Sequence, residues 1–327
     1  MPRSSTGIAT SAESPDRLGT PAAPAAGAYR GRFAPSPTGP LHFGSLLAAA
    51  GSWLDARAAG GRWLLRIEDI DPPREPPGAA DDILRTLEAF ELHWDEAVLY
   101  QSERREAFDA ALQALRAAGW VYPCGCSRKD IAAANRALGR PGARTYPGTC
   151  RSPGHSPRRG RVLRVRTTPQ PLGMGDRLQG EFQQQLDSDV GDFVVRRREG
   201  YIAYQLAVVV DDAAQGITDV VRGIDLLDST PRQLWLQHLL DLPAPRYMHL
   251  PVVAVPGGQK LSKQTGAEAL NPRRAGALAW RVLQCLGQAP PAELEGAPPG
   301  VLWAWGAANW RPQQLAGTRS IPLPPPL

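Results

Sequence analysis

From residue 29 onward, short compact apolar groups alternate with longer ones spaced as on a helix face. Residues 29–34 form a strand candidate, broken by Pro35-Ser36-Pro37-Thr38-Gly39-Pro40. Residues 41–59 read as a helix that Gly60-Gly61 stops. Residues 63–67 are a second compact strand, followed by an acidic, Pro-rich loop over 68–77. Two helices follow, over 79–92 and 103–118, the second closed by Gly119. Strand, helix, strand, helix in this order predicts an α/β fold on a parallel sheet.

The pattern changes at residue 120. Residues 120–160 are loop-rich and hold three of the four cysteines. Residues 161–167 and 193–197 look like strands of an inserted, partly antiparallel module. The α/β character returns with 204–211, a strand over 218–222 and a helix over 231–240. The expected organisation is a disordered extension over 1–28, catalytic-type halves over 29–119 and 191–248, and the insert over 120–190 between them. A loop and helical region covers 249–289, and a Pro-rich tail over 290–327 is expected to build little. No internal repeat is visible.

Composition narrows the class. The 327 residues suggest about two domains. With 43% hydrophobic and 21% charged residues, wholesale disorder is excluded. The longest apolar run, 203–210, is far short of the roughly 18 residues of a membrane span. Residues 1–28 lack the apolar core of a signal peptide, so a cytoplasmic chain is expected. A net charge of +5 and a pI near 9.2 favour an anionic partner. The basic excess is almost all arginine, and two of the three lysines, Lys260 and Lys263, lie within four residues of each other.

Those lysines belong to Lys260-Leu261-Ser262-Lys263-Gln264, a polar loop after an apolar stretch over 249–255 and a Pro-Gly-Gly turn. Lysine is a compact charge on a flexible stem, suited to phosphate charge that develops during transfer. At the other end of the α/β region, the loop between first strand and first helix carries Gly39, His42 and Gly44. Nucleotides sit at the carboxyl ends of parallel strands against helix N-termini, where glycine lets backbone approach and histidine donates to a phosphate oxygen. Taken singly, the first motif is equally well a turn with a capping histidine, and the second a solvated loop.

Together the two motifs resemble those of class I aminoacyl-tRNA synthetases. His42-Phe43-Gly44-Ser45 is similar to the HIGH motif, and Lys260-Leu261-Ser262-Lys263-Gln264 to KMSKS. The segments Gly31-Arg32-Phe33-Ala34-Pro35-Ser36-Pro37-Thr38-Gly39, Arg66-Ile67-Glu68-Asp69-Ile70-Asp71 and Val221-Arg222-Gly223-Ile224-Asp225-Leu226-Leu227 resemble the glutamyl branch. The resemblance runs from about residue 29 to 270. It implies a Rossmann-like catalytic domain that activates glutamate with ATP and Mg²⁺ to give glutamyl-adenylate. His42, Gly44, Lys260 and Lys263 then fall on catalytic positions, with His42, Gly44 and Lys263 on ATP. Arg32, Phe33, Ala34, Pro35, Ser36, Glu68, Tyr204 and Arg222 fall on glutamate-binding positions.

That assignment agrees with the chemistry of the residues. Guanidinium forks suit carboxylates, and Arg32 and Arg222 stand at strand ends on the ligand edge. Glu68 ends the second strand, where it can meet an ammonium group, and Tyr204 adds a hydroxyl. The competing reading for each is a structural ion pair, of which Arg66–Asp69 is the obvious example.

Cys124-Gly-Cys126 and Cys150 supply three soft ligands and leave a tetrahedral zinc site one short. The candidates for the fourth are Tyr146, four residues before Cys150, and His155, five after it. Metal chemistry alone favours His155. The resemblance instead implies Tyr146, because Tyr146-Pro-Gly-Thr-Cys150 is similar to a zinc motif of one short subgroup of the glutamyl branch. The zinc is expected to be structural, holding an insert without a core of its own. Arg151, Arg158, Arg159 and Arg161 either face RNA phosphates or form a solvated loop. Cys285 lies in a helical stretch and is expected in the core.

Only 64 residues follow Lys263 (327 − 263), too few for the helical anticodon-binding region of full glutamyl-tRNA synthetases. The short subgroup lacks that region. It attaches glutamate to the queuosine base of tRNA(Asp), so the implied partners are ATP, L-glutamate and a queuosine-bearing tRNA(Asp) anticodon stem-loop. A monomer is expected. Two alternatives stay open: a truncated enzyme that charges tRNA(Glu), and a non-catalytic nucleotide- or RNA-binding paralogue. A glutaminyl-type enzyme fits the length and the cysteine cluster less well.

Overall fold

The computed structural model describes residues 28–152, 162–255, 258–261 and 267–323. Lys263 and His155 lie outside these, as do Arg158, Arg159, Arg161 and the extension over 1–27. In chain order the elements are β1 (Arg30–Phe33), α1 (Phe43–Ala58), β2 (Arg62–Ile67), α2 (Ala79–Ala89), β3 (Leu99–Tyr100), α3 (Arg105–Ala117) and β4 (Val121–Cys124). Then come α4 (Arg128–Ala137), β5 (Val162–Val165), β6 (Leu172–Asp176), β7 (Gly180–Gln184), α5 (Leu186–Asp189), β8 (Phe193–Arg196) and α6 (Tyr204–Ala214). The last are β9 (Asp219–Gly223), α7 (Thr230–Leu239), β10 (Arg246–Leu250), β11 (Val252–Ala254), α8 (Ala275–Cys285), α9 (Pro299–Ala308) and β12 (Ser320–Pro322).

β1, β2 and β3 pair in parallel, and β9 pairs in parallel with β10. The two groups meet where the Thr218 amide donates to the Arg30 carbonyl at 3.0 Å and the Arg30 amide to Thr218 Oγ1 at 2.9 Å. The parallel strands therefore run β3-β2-β1-β9-β10, and the order reverses between β1 and β9. A crevice outside the strand ends at such a reversal is the expected ligand site of an α/β sheet. The buried strands are apolar on both faces: Trp63, Leu64, Leu65 and Ile67 of β2 are all fully buried.

The pairing cuts across two expected boundaries. β6 and β7 form an antiparallel hairpin whose β6 pairs with β10, so residues 172–184 extend the catalytic sheet rather than the insert. Conversely β8 pairs antiparallel with β5, which pairs with β4, so residues 193–196 join the antiparallel module as their strand pattern suggests, although they lie past its expected end at residue 190. Strand pairing between segments distant in sequence leaves no local signature.

The Pro-rich end is a larger correction. The tail over 290–327, expected to build little, contains α9, whose Leu302 and Trp303 are fully buried against α1 and α8. Trp303 Nε1 donates to the Phe90 carbonyl at 2.7 Å, and β12 pairs in parallel with β11. Pro299 sits in the first turn of α9, where its missing N–H costs nothing. Cys285, expected in the core, is half-buried and packs against it at the end of α8.

A buried carboxylate ties this end to the rest. Asp55 on α1 accepts from Tyr29 Oη at 2.5 Å, from Arg177 Nη1 and Nη2 at 2.6 and 2.9 Å, and from Trp310 Nε1 at 2.9 Å. Removing it strands several donors at once. Asp55→Ala is expected to cost about 3 kcal/mol of stability, read as a lower urea midpoint at unchanged slope. A variant as stable as the parent would show that water replaces the carboxylate there.

Candidate functional site

At the carboxyl ends of β1, β9 and β10 lies a cavity of about 760 Å³, lined among others by Ser36, Gly39, His42, Gly44, Asp225 and Lys260. Phe33, Ala34 and Pro35 lie on the same wall. Gly39 has φ +129°, a conformation that favours glycine and turns the chain back toward α1. His42 is the N-cap of α1, and its Nδ1 accepts from the Ser45 amide at 3.3 Å. The neutral ring then carries its proton on Nε2. Capping and ligand binding are therefore compatible roles for one histidine.

Gly44 lies under that ring: a Cβ there would stand 3.1 Å from His42 Cε1 and 3.2 Å from Nδ1. Gly44→Ala is expected to displace the imidazole and raise the KM for a bound nucleotide roughly tenfold, without loss of the fold. A nucleotide KM identical to the parent's would remove His42 from the site.

Lys260 pairs with Asp225 at 2.6 Å across the cavity mouth. Asp225, within the motif that contains Arg222, was not singled out from the sequence, and neither was Arg74 on the cavity wall. The available signal for Asp225 was its place three residues after Arg222 in the same segment; its pairing with Lys260, 35 positions on, carries no local mark.

The predicted glutamate-pocket residues Arg32, Glu68, Tyr204 and Arg222, none of which lines this cavity, come together in a cluster of their own. Arg32 is 3% exposed and grips Asp212 of α6 through Nε at 3.1 Å and Nη2 at 3.4 Å. Arg66 meets Asp212 at 2.8 Å and Glu68 at 3.3 Å, not Asp69 as the sequence suggests. The reason is strand alternation: residues 66 and 68 share a face and 69 points away. Asp69 instead accepts from the Ser102 amide and hydroxyl.

Burial pushes the Glu68 carboxyl above the usual carboxylate range, against the pull of Arg66 and Arg32. Burial opposes ionisation of Asp212 too, yet Arg32 and Arg66 hold it below that range. Burial likewise raises the Tyr204 phenol, whose electrostatic neighbours are Arg222, Glu68 and Arg32. Arg32, Glu68, Tyr204 and Arg222 share one locality, built from β1, the end of β2, α6 and β9.

Arg222, 5% exposed, is the distinctive member. Its Nε donates to His249 Nε2 at 3.1 Å, and its Nη2 to Thr230 Oγ1 at 2.8 Å and the Leu226 carbonyl at 3.4 Å. Its Nη1 is buried and has no hydrogen-bond partner among the described residues. A buried charged donor left unpaired is costly, and an incoming carboxylate would satisfy it.

The second cluster lies in the insert. The Sγ atoms of Cys124, Cys126 and Cys150 lie within 4.8 Å of one another, with Cys126 and Cys150 3.5 Å apart. Tyr146 Oη is 3.3 Å from Cys124 Sγ and 4.0 Å from Cys126 Sγ, and accepts from the Cys150 amide at 2.8 Å. Ligands ~2.3 Å from a tetrahedral ion stand a little under 4 Å apart, so the donor set fits one metal ion. Burial and the neighbouring thiols push the Cys126 thiol up to about 12, so the cluster as it stands repels a full set of thiolates. A cation would reverse that.

The backbone prepares this cluster. Gly191 has φ +71°, and a Cβ there would strike the Tyr146 carbonyl at 2.3 Å. Arg151, first of the basic run, is spent on Asp192, which also accepts from Tyr122 and Thr167. That arginine is therefore structural.

The profile of the family described as "tRNA synthetases class I (E and Q), catalytic domain" matches residues 28–274. This chain belongs to the class I tRNA synthetases of the E and Q branch. It is 57% identical over 282 residues to the glutamyl-Q tRNA(Asp) synthetase of Dechloromonas aromatica, covering 86% of this chain and 94% of that protein. The same-named protein of Ectopseudomonas mendocina is 53% identical, covering 90% and 97%. Among solved structures, a glutamate tRNA ligase of Elizabethkingia meningosepticum, crystallised with its amino acid, superposes with a TM-score of 0.74 at 26% identity. The match covers 90% of this chain and 66% of that one, so the chain spans about two thirds of the ligase. Among the described residues no helix is long and apolar enough to cross a membrane.

Proposed function

We propose that this class I synthetase activates L-glutamate with ATP, without tRNA, and then transfers it to the queuosine base of tRNA(Asp). The observation that carries the glutamate reading is the Nη1 of Arg222, buried, charged and without a hydrogen-bond partner among the described residues, in a locality shared with Arg32, Glu68 and Tyr204. Arg222 receives the side-chain carboxylate, and Glu68 and Tyr204 orient the ammonium end. Phe33, Ala34, Pro35 and Ser36 line the nucleotide cavity to which the α-carboxylate is led, and Arg32, next to them on β1, adds a buried cation behind that wall.

An α-carboxylate oxygen attacks the α-phosphorus of ATP; the bond to the bridging oxygen breaks and pyrophosphate leaves. His42, Lys260 and Lys263 meet the phosphate charge, and Gly44 leaves room for it, so catalysis is positioning and charge stabilisation without a protein nucleophile. Mg²⁺ bound with the ATP would neutralise the leaving phosphates. In the second step the acceptor nucleoside attacks the mixed anhydride, and AMP departs. Cys124, Cys126, Tyr146 and Cys150 would hold one structural zinc; the phenol oxygen already among the thiols favours Tyr146 as the fourth ligand.

The acceptor follows from the names of the relatives, which this chain matches over nearly their whole length. A monomer working in the cytoplasm on one anticodon stem-loop is the corresponding physical picture. The deciding experiment supplies ATP, Mg²⁺ and labelled glutamate with tRNA from cells that make queuosine and cells that do not. Label on tRNA(Asp) only in the first preparation supports the proposal. Label on tRNA(Glu) in both makes the chain a minimal charging enzyme, and no label with either makes it a binding paralogue.

A further inference from the structure

The partners of Arg222 are unusual for a substrate-binding arginine, because one of them is a histidine. His249 on β10 is fully buried. Its Nδ1 lies 2.6 Å from Asp176 Oδ2 on β6, while its Nε2 faces Arg222 Nε at 3.1 Å and Thr230 Oγ1 at 3.4 Å. A guanidinium Nε–H can only donate. Nε2 must therefore offer a lone pair, and the single ring proton must sit on Nδ1, donated to the Asp176 carboxylate. Asp176 is itself held in place, since its oxygens also accept from the backbone amides of Leu178, Gln179 and His249. Three strands, β6, β10 and β9, thus contribute one member each to a carboxylate–imidazole–guanidinium chain.

We propose that His249, locked by Asp176 as the neutral Nδ1–H tautomer, is a positioning residue that aims Arg222 at the acidic side chain of the amino-acid substrate. This inference rests on the glutamate reading of the site. With Nε held by His249 and Nη2 by Thr230 and Leu226, the guanidinium plane is fixed at two corners, and Nη1 is the corner left for the ligand. A protonated imidazole would turn an N–H toward the Nε–H of Arg222 and push the guanidinium out of place.

The groups facing His249 are Asp176 on β6, Arg222 on β9, the stacked Tyr247 ring on β10, Thr230 on α7, and Asp225 after β9. Burial lowers its pKa below the ordinary histidine value, with Arg222 acting in the same direction and Asp176 and Asp225 opposing. The neutral form therefore persists through neutral pH, and the acid limb lies below the usual histidine range.

The test is glutamate-dependent ATP–pyrophosphate exchange by the full chain, between about pH 5 and 8. His249→Leu removes the acceptor and is expected to raise the glutamate KM roughly 30-fold while the ATP KM stays within about twofold. His249→Gln, whose amide oxygen reaches the place of Nε2, is expected to recover most of that loss. The parent's glutamate KM rises toward the acid end; in His249→Gln that rise disappears. An unchanged glutamate KM in His249→Leu, an equal rise in both KM values, or an acid limb that survives in His249→Gln would each overturn the proposal. Nitrogen NMR of the parent decides the tautomer independently of activity and of how the variants fold. Proton on Nδ1 with Nε2 bare supports the proposal, and a proton on Nε2 at neutral pH defeats it. A parent with the expected tautomer but no glutamate-dependent exchange would instead overturn the glutamate reading.

Discussion

Arg222→Ala is expected to abolish glutamate-dependent pyrophosphate exchange, with kcat/KM for glutamate falling by about 10³-fold and the ATP KM almost unmoved. Truncating one partner of a buried, hydrogen-bonded charge pair costs about 2–5 kcal/mol, and each 1.4 kcal/mol is a factor of ten. Both terms act here, since the substrate carboxylate would lose its cation and still be desolvated. The free protein responds in the opposite sense: the unpartnered Nη1 is a standing cost that the alanine variant does not bear. Arg222→Ala should therefore unfold no earlier than expected for the loss of the Thr230 and His249 contacts. Arg222→Lys restores a charge but no fork, and should stay within about tenfold of the alanine variant. Exchange within about fivefold of the parent in Arg222→Ala would place the acidic side chain elsewhere, with Arg32 the next candidate.

The strand-end rule explains why this arginine was legible from the sequence. Arg32, Glu68 and Arg222 each follow or end a compact apolar run, and the carboxyl edge of a parallel sheet is where such side chains face a ligand. The resemblance to the HIGH and KMSKS motifs supplied His42, Gly44 and Lys260, and could do so because both loops are local in sequence. The residues that hold Arg222 were not legible. Asp176 and His249 are 73 positions apart, on strands paired only at Tyr247 and Asp176, and a lone histidine in a buried strand carries no mark of its tautomer. Adjacency in sequence points Arg66 to Asp69, but strand alternation decides and gives it Asp212 and Glu68. The C-terminal helix is hidden by composition: a high proline content suggests absence of structure, although Pro299 begins a helix with Leu302 and Trp303 on its buried face.

Cys126→Ser is expected to lose the bound metal, and with it the order of the insert while the catalytic sheet survives. The small core there is Tyr122, Cys124, Tyr146 and Cys150 with Cys126, Ile131 and Val162 against it, so most of its buried contacts are the ligands themselves. Structural zinc supplies ~10–16 kcal/mol of apparent binding free energy in small peptides, far more than so few apolar contacts return. Cys126 is the informative position because its thiol, pushed up to about 12 by burial and by Cys150 and Cys124, is the hardest to ionise without a cation. Metal analysis of the parent should give one zinc per chain, released on acidification as protons compete for the thiolates. Limited proteolysis of Cys126→Ser should cut within 125–152, whereas the buried Asp192 network of Tyr122, Arg151 and Thr167 should still protect β8. Tyr146→Phe separates the two candidate ligand sets. Loss of zinc in that variant makes the phenol oxygen the fourth ligand, and full retention transfers the role to His155. Equal zinc in Cys126→Ser and the parent would remove Cys126 from the site and leave the close approach of the three sulfurs as packing alone.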